Sequence, residues 1–318
     1  MKLSGFTFIR NGILMGYPFI ESIRSALPIC DEFIVVVCDS NDGTKEKLIE
    51  LQTKEPKIKL FDSDWKQTEK KGSIMSEKTN VAISHITGDY GLYIQGDEGI
   101  HEKDYSAIVK ALDDNLNNRE IKGFEFNYIH FFGGYFSYAK KSEKKFFYDK
   151  EVRIIRNDKT VVSWGDAMGF KDINGNKIHV ENGNAVLLDS ATMYHYGRAK
   201  NPASMYKKEK AMEELYNGKI LNFFKNWVSN FDPRVDKYIY SDFSWLERID
   251  KQNLDFHPEP FRKLAAAQNW DIDDFKNFMP QKKGVKQFFK MFIYRIVKDS
   301  INESKNAANK IRKFFNFN

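Results

Sequence analysis

The chain has 318 residues and a net charge of +6, with 42% hydrophobic and 30% charged residues, which is typical of a globular protein with a substantial core. This composition excludes a small disulfide-stapled scaffold, and no apolar run approaches the roughly 20 residues that a membrane-spanning helix needs. No signal-peptide apolar region follows the N-terminus, and Cys30 and Cys38 lack metal-site neighbours, so we expect reduced thiols in a cytoplasmic protein.

The first part of the chain alternates strand and helix patterns. Short runs of bulky residues, bounded by turn formers, predict strands at 5–9, 33–37, 58–61 and 90–94. Helical spacing predicts helices between them, at about 17–27, 45–53 and 73–86. This alternation is typical of an α/β fold with a mostly parallel sheet.

Between residues 121 and 189 the pattern changes to strands without intervening helices. The segments 123–132, 151–156 and 160–164 predict an antiparallel extension of the sheet. Helical spacing with many aromatic residues returns at 202–278 and predicts C-terminal helices. We find no linker or repeat, so we divide the chain into one domain, 1–280, and a tail, 281–318.

Two turns that follow predicted strands carry carboxylates. Asp39 begins the turn after the second strand, where it can accept a hydrogen bond from a nucleotide, whereas Asp42 or Thr44 can cap the next helix. Asp97 and Glu98 follow the fourth strand, and their carboxylates suit Mg²⁺ or Mn²⁺. The alternative for the second turn is a purely structural polar turn.

Several segments together resemble an inverting, family-2-type glycosyltransferase with the GT-A fold, a Rossmann-like nucleotide-diphospho-sugar transferase fold. They match the nucleotide-binding half of that family in order and spacing, and the resemblance covers about residues 4–200. The matching segments are 4–12, 19–23, 33–44 and 87–89 leading into 95–98.

The resemblance implies an enzyme that moves a sugar from a nucleotide-sugar donor to a hydroxyl of a glycan or lipid-linked acceptor, in cell-surface polysaccharide biosynthesis. It implies that Asp39 and Asn11 bind the nucleotide and that Asp97 holds a divalent cation, Mn²⁺ or Mg²⁺. Gln95 departs from the family pattern because it replaces the first Asp of the acidic turn; we expect it to bind ribose.

The same resemblance suggests roles for residues downstream. His195 is a candidate second metal ligand, although a His between two tyrosines is also typical of a packed structural residue. Arg198 and Lys207 are candidates for neutralising the leaving diphosphate. Asp166 is our candidate catalytic base, on the acceptor side of the site. Glu98, Glu125 and Asp172 are alternatives for the base.

The tail concentrates the positive charge of the chain. Residues 281–318 carry ten Lys or Arg and only Asp299 and Glu303, which gives a local charge of +8 and leaves −2 for the rest. An apolar helical face flanked by Lys and Arg predicts contact with a membrane surface, so we expect a cytoplasmic protein at the inner membrane face. Docking on the body or on a second copy is the alternative. The mildly acidic body predicts no nucleic-acid partner.

Two other functions remain open from the residues alone. Nucleotidyl transfer on a related sheet usually needs a Gly-rich, basic phosphate loop after the first strand, and Arg10-Asn11-Gly12 is a short version of one. A catalytically silent nucleotide- or sugar-binding module is consistent with Gln95 in place of an acidic residue.

Overall fold

The computed structural model describes residues 1–66, 73–140, 147–205, 208 and 243–274. Residues up to Ile272 form one unit by their mutual contacts. The predicted tail, its boundary at residue 280 and Lys207 lie outside the described residues. Within the described ranges, every helix is too short or too polar to cross a bilayer.

Four parallel strands form one half of the main sheet, in the order β4-β1-β2-β3. The prediction of alternating strands and helices is confirmed here. The strands are β1 (Leu3–Ile9), β2 (Glu32–Cys38), β3 (Ile58–Ser63) and β4 (Tyr90–Tyr93). The helices are α1 (Phe19–Ala26), α2 (Thr44–Lys54), α3 (Ser73–His85) and α4 (Tyr105–Asp114).

The other half of the sheet is mostly antiparallel, as predicted. It contains β5 (Glu98–Ile100), β6 (Gly123–Phe132), β7 (Ser137–Ala139), β8 (Lys150–Arg156), β11 (Ala185–Arg198) and β12 (Leu246–Arg248). Strand β8 joins the two halves because it pairs antiparallel with both β4 and β6. A separate hairpin is formed by β9 (Val161–Trp164) and β10 (Gly169–Asp172).

One feature of this half differs from the sequence-based prediction. Strand β11 runs parallel to β6 and antiparallel to β5, so the extension contains one parallel pair. In the described part of 202–278, residues 202–205 are helical and α5 (Glu259–Ala266) is a longer helix, with β12 and short 3₁₀ turns before α5. Aromatic residues there, including Phe261 of α5, pack on the β6–β11 pair.

Alternating side chains of the parallel strands build two cores, one on each face of the sheet. In β2, Val35 and Val37 pack on the face covered by α1, and Ile34 and Val36 pack on the face covered by α3. A strand buried on both faces reads as a continuous apolar run, which is why β2 is recognisable in the sequence. The two covered faces leave the carboxyl ends of the strands as the place where ligands can approach.

Candidate nucleotide and metal site

The carboxyl ends of β1 and β2 carry two loops that are fastened to each other. The Asn11 N–H donates to Ser40 Oγ at 2.9 Å, and the Leu14 N–H donates to Asp42 Oδ2 at 2.7 Å. Asp42 also accepts hydrogen bonds from the Thr44 N–H and hydroxyl at the start of α2, at 3.1 and 2.6 Å. Asp42 therefore organises the turn.

Asp39 stands beside this turn and is exposed. Its Oδ2 accepts a hydrogen bond from the Trp65 N–H at 2.9 Å, and the Arg10 guanidinium lies 4.8 Å from the centre of the Trp65 ring. The Asp39 carboxylate therefore lies at the edge of a wall that is formed by the Trp65 ring and the Arg10 guanidinium. Such a wall can stack and hydrogen-bond a nucleobase.

Asp97 and Glu98 occupy the turn after β4, and the two carboxylates have different surroundings. Glu98 is completely buried and accepts from Arg153 Nε at 3.0 Å, Arg153 Nη2 at 2.9 Å, the Tyr128 hydroxyl at 2.8 Å and the Gln95 N–H at 3.0 Å. Its oxygens are occupied by structural contacts, which argues against Glu98 as the catalytic base.

The Asp97 carboxylate, unlike that of Glu98, lies across a gap from a histidine ring. Its Oδ2 lies 3.8 Å from His195 Nε2 and 3.3 Å from Lys208 Nζ, while its backbone carbonyl accepts the Tyr196 N–H at 2.6 Å. Burial raises the pKa of Asp97, but Lys208, His195 and Lys200 outweigh burial and hold this pKa below its usual range. Asp97 is therefore an anion at neutral pH.

His195 brings a ring nitrogen to the same gap. Burial lowers the pKa of His195 to about 4, with Asp97 opposing the shift and Lys208 adding to it. The imidazole is therefore neutral at pH 7, which is the state that ligates metals. Its other nitrogen, Nδ1, lies 2.8 Å from Nδ1 of His130.

Gly197 keeps the space between the two groups open. A Cβ at this position would lie 2.7 Å from His195 Nε2 and 2.9 Å from Asp97 Oδ2, closer than real contacts allow. The residues therefore fit a divalent cation with one carboxylate oxygen and one imidazole nitrogen as protein ligands. Clusters of three or more His, Cys, Asp or Glu with metal-site geometry are absent from the described residues. Phosphate oxygens and water would complete the coordination, as is common for Mg²⁺.

Two lysines that sequence reasoning missed stand next to Asp97. Lys208 Nζ donates to the Gly197 carbonyl at 2.8 Å and lies 4.7 Å from the centre of the Tyr17 ring. Lys200 Nζ donates to the Gly16 carbonyl, and burial followed by the nearby Lys208 lowers the pKa of Lys200 to about 7. The sequence pointed to Lys207, the neighbour of Lys208.

Arg198 lies on a different side of His195. It is exposed, its guanidinium is 5.8 Å from the centre of the Phe147 ring, and it lines a cavity of about 160 Å³ with both His130 and His195. The Gln95 side chain interacts with the Tyr93 hydroxyl. Neither geometry by itself identifies a ligand contact.

Asp166 lies in the turn between β9 and β10. The turn is tightly constrained, because Gly165 and Ala167 have φ angles of +65° and +61° and Ser76 Oγ donates to the Gly165 carbonyl at 2.8 Å. A left-handed non-glycine residue is often found where a functional side chain has to be placed. Asp166 also interacts electrostatically with Glu151, which itself interacts with Glu98.

The two remaining alternatives for the base have structural surroundings. Glu125 is completely buried and accepts the Val180 N–H at 2.5 Å. Asp172 accepts the backbone N–H and side-chain amide of Asn176, both at 2.8 Å, in the turn after β10. Asp166 remains the candidate that this geometry favours.

Comparison with known proteins gives a likeness to solved structures only. No family model matches the sequence, and no curated protein does so. The structure of Staphylococcus aureus TarS is 15% identical with a TM-score of 0.38, and the match covers 90% of this chain but 56% of TarS, so this chain spans just over half of that protein. TarS 1–349 in complex with UDP-GlcNAc is 13% identical with a TM-score of 0.37, covering 87% of this chain and 90% of that one.

A Mycobacterium tuberculosis glucosyl-3-phosphoglycerate synthase, in complex with Mn²⁺, UDP and phosphoglyceric acid, is 11% identical with a TM-score of 0.39. That match covers 68% of this chain and 78% of the synthase. The likeness is a distant one of fold and assigns no residue of this chain. The strand order of the sheet itself, a parallel half continued by a mostly antiparallel half, agrees with the α/β fold expected from the sequence.

Proposed function

We propose that this protein is a metal-assisted glycosyltransferase that moves a sugar from a nucleotide-sugar donor to a hydroxyl of a glycan or lipid-linked acceptor, in cell-surface polysaccharide biosynthesis. The observation that carries the proposal is the gap between Asp97 Oδ2 and His195 Nε2, which Gly197 keeps open at the carboxyl ends of the parallel strands. An anion and a neutral imidazole facing each other across 3.8 Å are suited to share a cation.

The donor would bind across the two loops of this edge. Asp39 and Asn11 would hold the nucleoside, next to the Trp65 ring, and Asp97 with His195 would hold the divalent cation. A bound Mn²⁺ or Mg²⁺ would neutralise charge on the leaving diphosphate. Phosphate oxygens held at Asp97 would also lie near Lys208.

The lysines of the site would stabilise the leaving group directly. Lys208 already lies beside Asp97, and Lys200 adds a second ammonium from the same side. A nucleoside diphosphate brings negative charge that favours the protonated form of Lys200. Preorganised cations at the position where charge develops lower the barrier of transfer.

Asp166 would act as the general base. In a single displacement, the acceptor hydroxyl attacks the anomeric carbon from the side opposite the nucleotide, its proton passes to the Asp166 carboxylate, and the bond between anomeric carbon and phosphate oxygen breaks. The configuration at the anomeric carbon is thereby inverted. The constrained turn from Gly165 to Ala167 supports this role because it holds the carboxylate in one place.

Nucleotide binding tests the metal site. Isothermal calorimetry with UDP, GDP, CDP and dTDP, each with and without Mn²⁺, should show Mn²⁺-dependent binding of one nucleotide to the wild type and its loss in Asp97→Ala. Asp62→Asn is the matched control, because it removes an exposed carboxylate from β3 that pairs with Lys45. Equal binding with and without Mn²⁺, or to Asp97→Ala and wild type, would overturn the metal role of Asp97.

The rate of donor consumption tests whether Asp166 is the catalytic base. Asp166→Asn should keep the nucleotide affinity of the wild type and lose about 100-fold or more in the rate of donor consumption, which is the contribution typical of a general base. Full activity would remove Asp166 from this role. If the wild type and Asp166→Asn both consume the donor at the same slow rate, the result would favour a catalytically silent binding module.

We also propose that residues 281–318 contact a membrane surface. This proposal does not depend on the nucleotide and metal site. Deletion of these residues should abolish cosedimentation with liposomes that contain anionic lipid and leave nucleotide binding unchanged. Undiminished cosedimentation of the shortened protein would contradict membrane contact through the tail.

A further inference from the structure

His130 and His195 face each other across two neighbouring strands. They are opposite residues in the register of β6 and β11, and their Nδ1 atoms are 2.8 Å apart. His130 Nε2 lies 2.7 Å from the backbone carbonyl of Tyr148. The three groups form a chain of two hydrogen bonds that ends at the gap beside Asp97.

The acceptor at the far end of this chain fixes the position of each proton. A carbonyl oxygen only accepts hydrogen bonds, so the Tyr148 carbonyl requires a proton on Nε2 of His130. His130 is 5% exposed and surrounded by the rings of Tyr128, Phe147 and Tyr148, where a neutral imidazole is favoured over a charged one. Neutral His130 therefore presents a lone pair from Nδ1.

His195 has to supply the proton of the remaining hydrogen bond. Because His130 Nδ1 accepts, His195 Nδ1 carries the proton and donates it. The neutral His195 ring then has its lone pair on Nε2, the nitrogen that faces Asp97 Oδ2 at 3.8 Å. Two lone-pair donors facing each other across a gap form a site for a cation.

We propose that His130 is a positioning residue that locks His195 in the Nδ1–H tautomer and so directs the Nε2 lone pair at the cation held by Asp97. This inference rests on the proposed metal site. His130 itself lies one hydrogen bond away from the metal and does not touch it. Partners of this kind orient metal-ligating histidines in many proteins, and their loss typically weakens metal binding about 10- to 100-fold.

Two substitutions separate the hydrogen bond from the packing of the ring. His130→Phe keeps an aromatic ring among Tyr128, Phe147 and Tyr148 but offers no acceptor to His195. His130→Asn places an amide oxygen near the position of Nδ1, so it can still accept the proton of His195 Nδ1. Circular dichroism and thermal melting establish that each variant is folded.

The first readout is the tautomer of His195 in the metal-free protein. Two-dimensional ¹⁵N NMR of histidine-labelled protein distinguishes a protonated from a bare Nδ1, and His195→Gln assigns the signal. We expect the Nδ1–H form in the wild type and in His130→Asn, and a mixture of both forms in His130→Phe. An Nε2–H tautomer in the wild type would overturn the proposal.

The second readout is the affinity for Mn²⁺ in the presence of the nucleoside diphosphate that binds best, measured by electron paramagnetic resonance of free Mn²⁺. His130→Phe should bind Mn²⁺ about 10- to 100-fold more weakly than the wild type, and His130→Asn should stay within about threefold. Equal affinity of all three proteins would show that His130 only packs in the core. Absence of Mn²⁺ binding by the wild type would instead overturn the proposed metal site, so the two failures are distinguishable.

Discussion

The adjacent residues Asp97 and Glu98 lie in two regions with opposite electrostatic balance. The region around Glu98 is closed, because Arg153 and Tyr128 satisfy its carboxylate within a completely buried cluster. The region around Asp97 is open, because its carboxylate faces an imidazole at 3.8 Å and one lysine at 3.3 Å. One turn of chain therefore combines a carboxylate that stabilises the fold with a carboxylate that is available to a ligand.

The largest expected effect is a loss of protein stability caused by a substitution in the closed region around Glu98. Arg153→Met should lower the free energy of unfolding by about 3–5 kcal/mol, because it leaves the Glu98 carboxylate buried without its counter-charge. Denaturation in urea measures the change. Arg248→Met is the control, since Arg248 pairs with Asp271 at the surface and should cost less than about 1 kcal/mol.

The double variant Glu98→Gln with Arg153→Met tests whether the loss of stability comes from the unpaired buried charge. Removal of both charges should recover part of the stability that Arg153→Met loses, because no ion is then left buried. Equal losses in Arg153→Met and in the double variant would contradict the ion-pair explanation and point to lost packing of the arginine.

Glu151 interacts electrostatically with Glu98 and Asp166, and its ionisation should give a pH-dependent change in stability of intermediate size. Burial, opposed by Arg153 and reinforced by Glu98, raises the pKa of Glu151 from 4.5 to about 7. The folded protein therefore holds this proton more tightly than the unfolded chain. Its stabilising contribution is fully present below pH 4.5 and is lost as the pH rises through 7.

The variant Glu151→Gln should remove this pH dependence. Relative to the wild type it should be of similar stability at pH 5 and more stable at pH 8 by about 2 kcal/mol, measured by urea denaturation at both values. Glu46→Gln, which changes an exposed carboxyl on α2, is the matched control. A parallel pH dependence in wild type and Glu151→Gln would contradict the raised pKa.

The smallest expected effect is a change in ligand affinity caused by a substitution in the open region around Asp97. Lys208 is a cation that lies at Asp97 before any metal binds, so Lys208→Met should increase the affinity for Mn²⁺ without nucleotide about fivefold, or about 1 kcal/mol. The same variant should weaken the binding of nucleoside diphosphate, because it removes a cation that we propose to contact the phosphates. Paramagnetic resonance and calorimetry measure the two effects. Lys45→Met, at the exposed pair with Asp62, should change neither.

The parallel half of the fold was predictable from local sequence because β1, β2 and β4 are buried on both faces and therefore form nearly continuous apolar runs. The prediction of β1 to β4 from short apolar runs is confirmed to within two residues at every strand end. Asp97 and His195 were named as partners and do face each other. Their roles in catalysis stay predictions.

The electrostatic neighbours of the site were not predictable in the same way. No role was predicted for Arg153, whose guanidinium is buried against Glu98. His130 was overlooked within an aromatic run, although period-two alternation in β6 places it beside Tyr128. These contacts depend on the pairing of β6 with β8 and β11, which local sequence does not encode.

The hydrogen bond from the Tyr196 N–H to the Asp97 carbonyl also bears on how the protein folds during synthesis. It joins residues that are about 100 positions apart in the chain, so its formation requires the closure of a long loop. The turn that carries Asp97 can acquire its final neighbours only after β11 has left the ribosome. Contacts of such high sequence separation form slowly, and we therefore expect the proposed nucleotide site to be among the last parts of the domain to become structured.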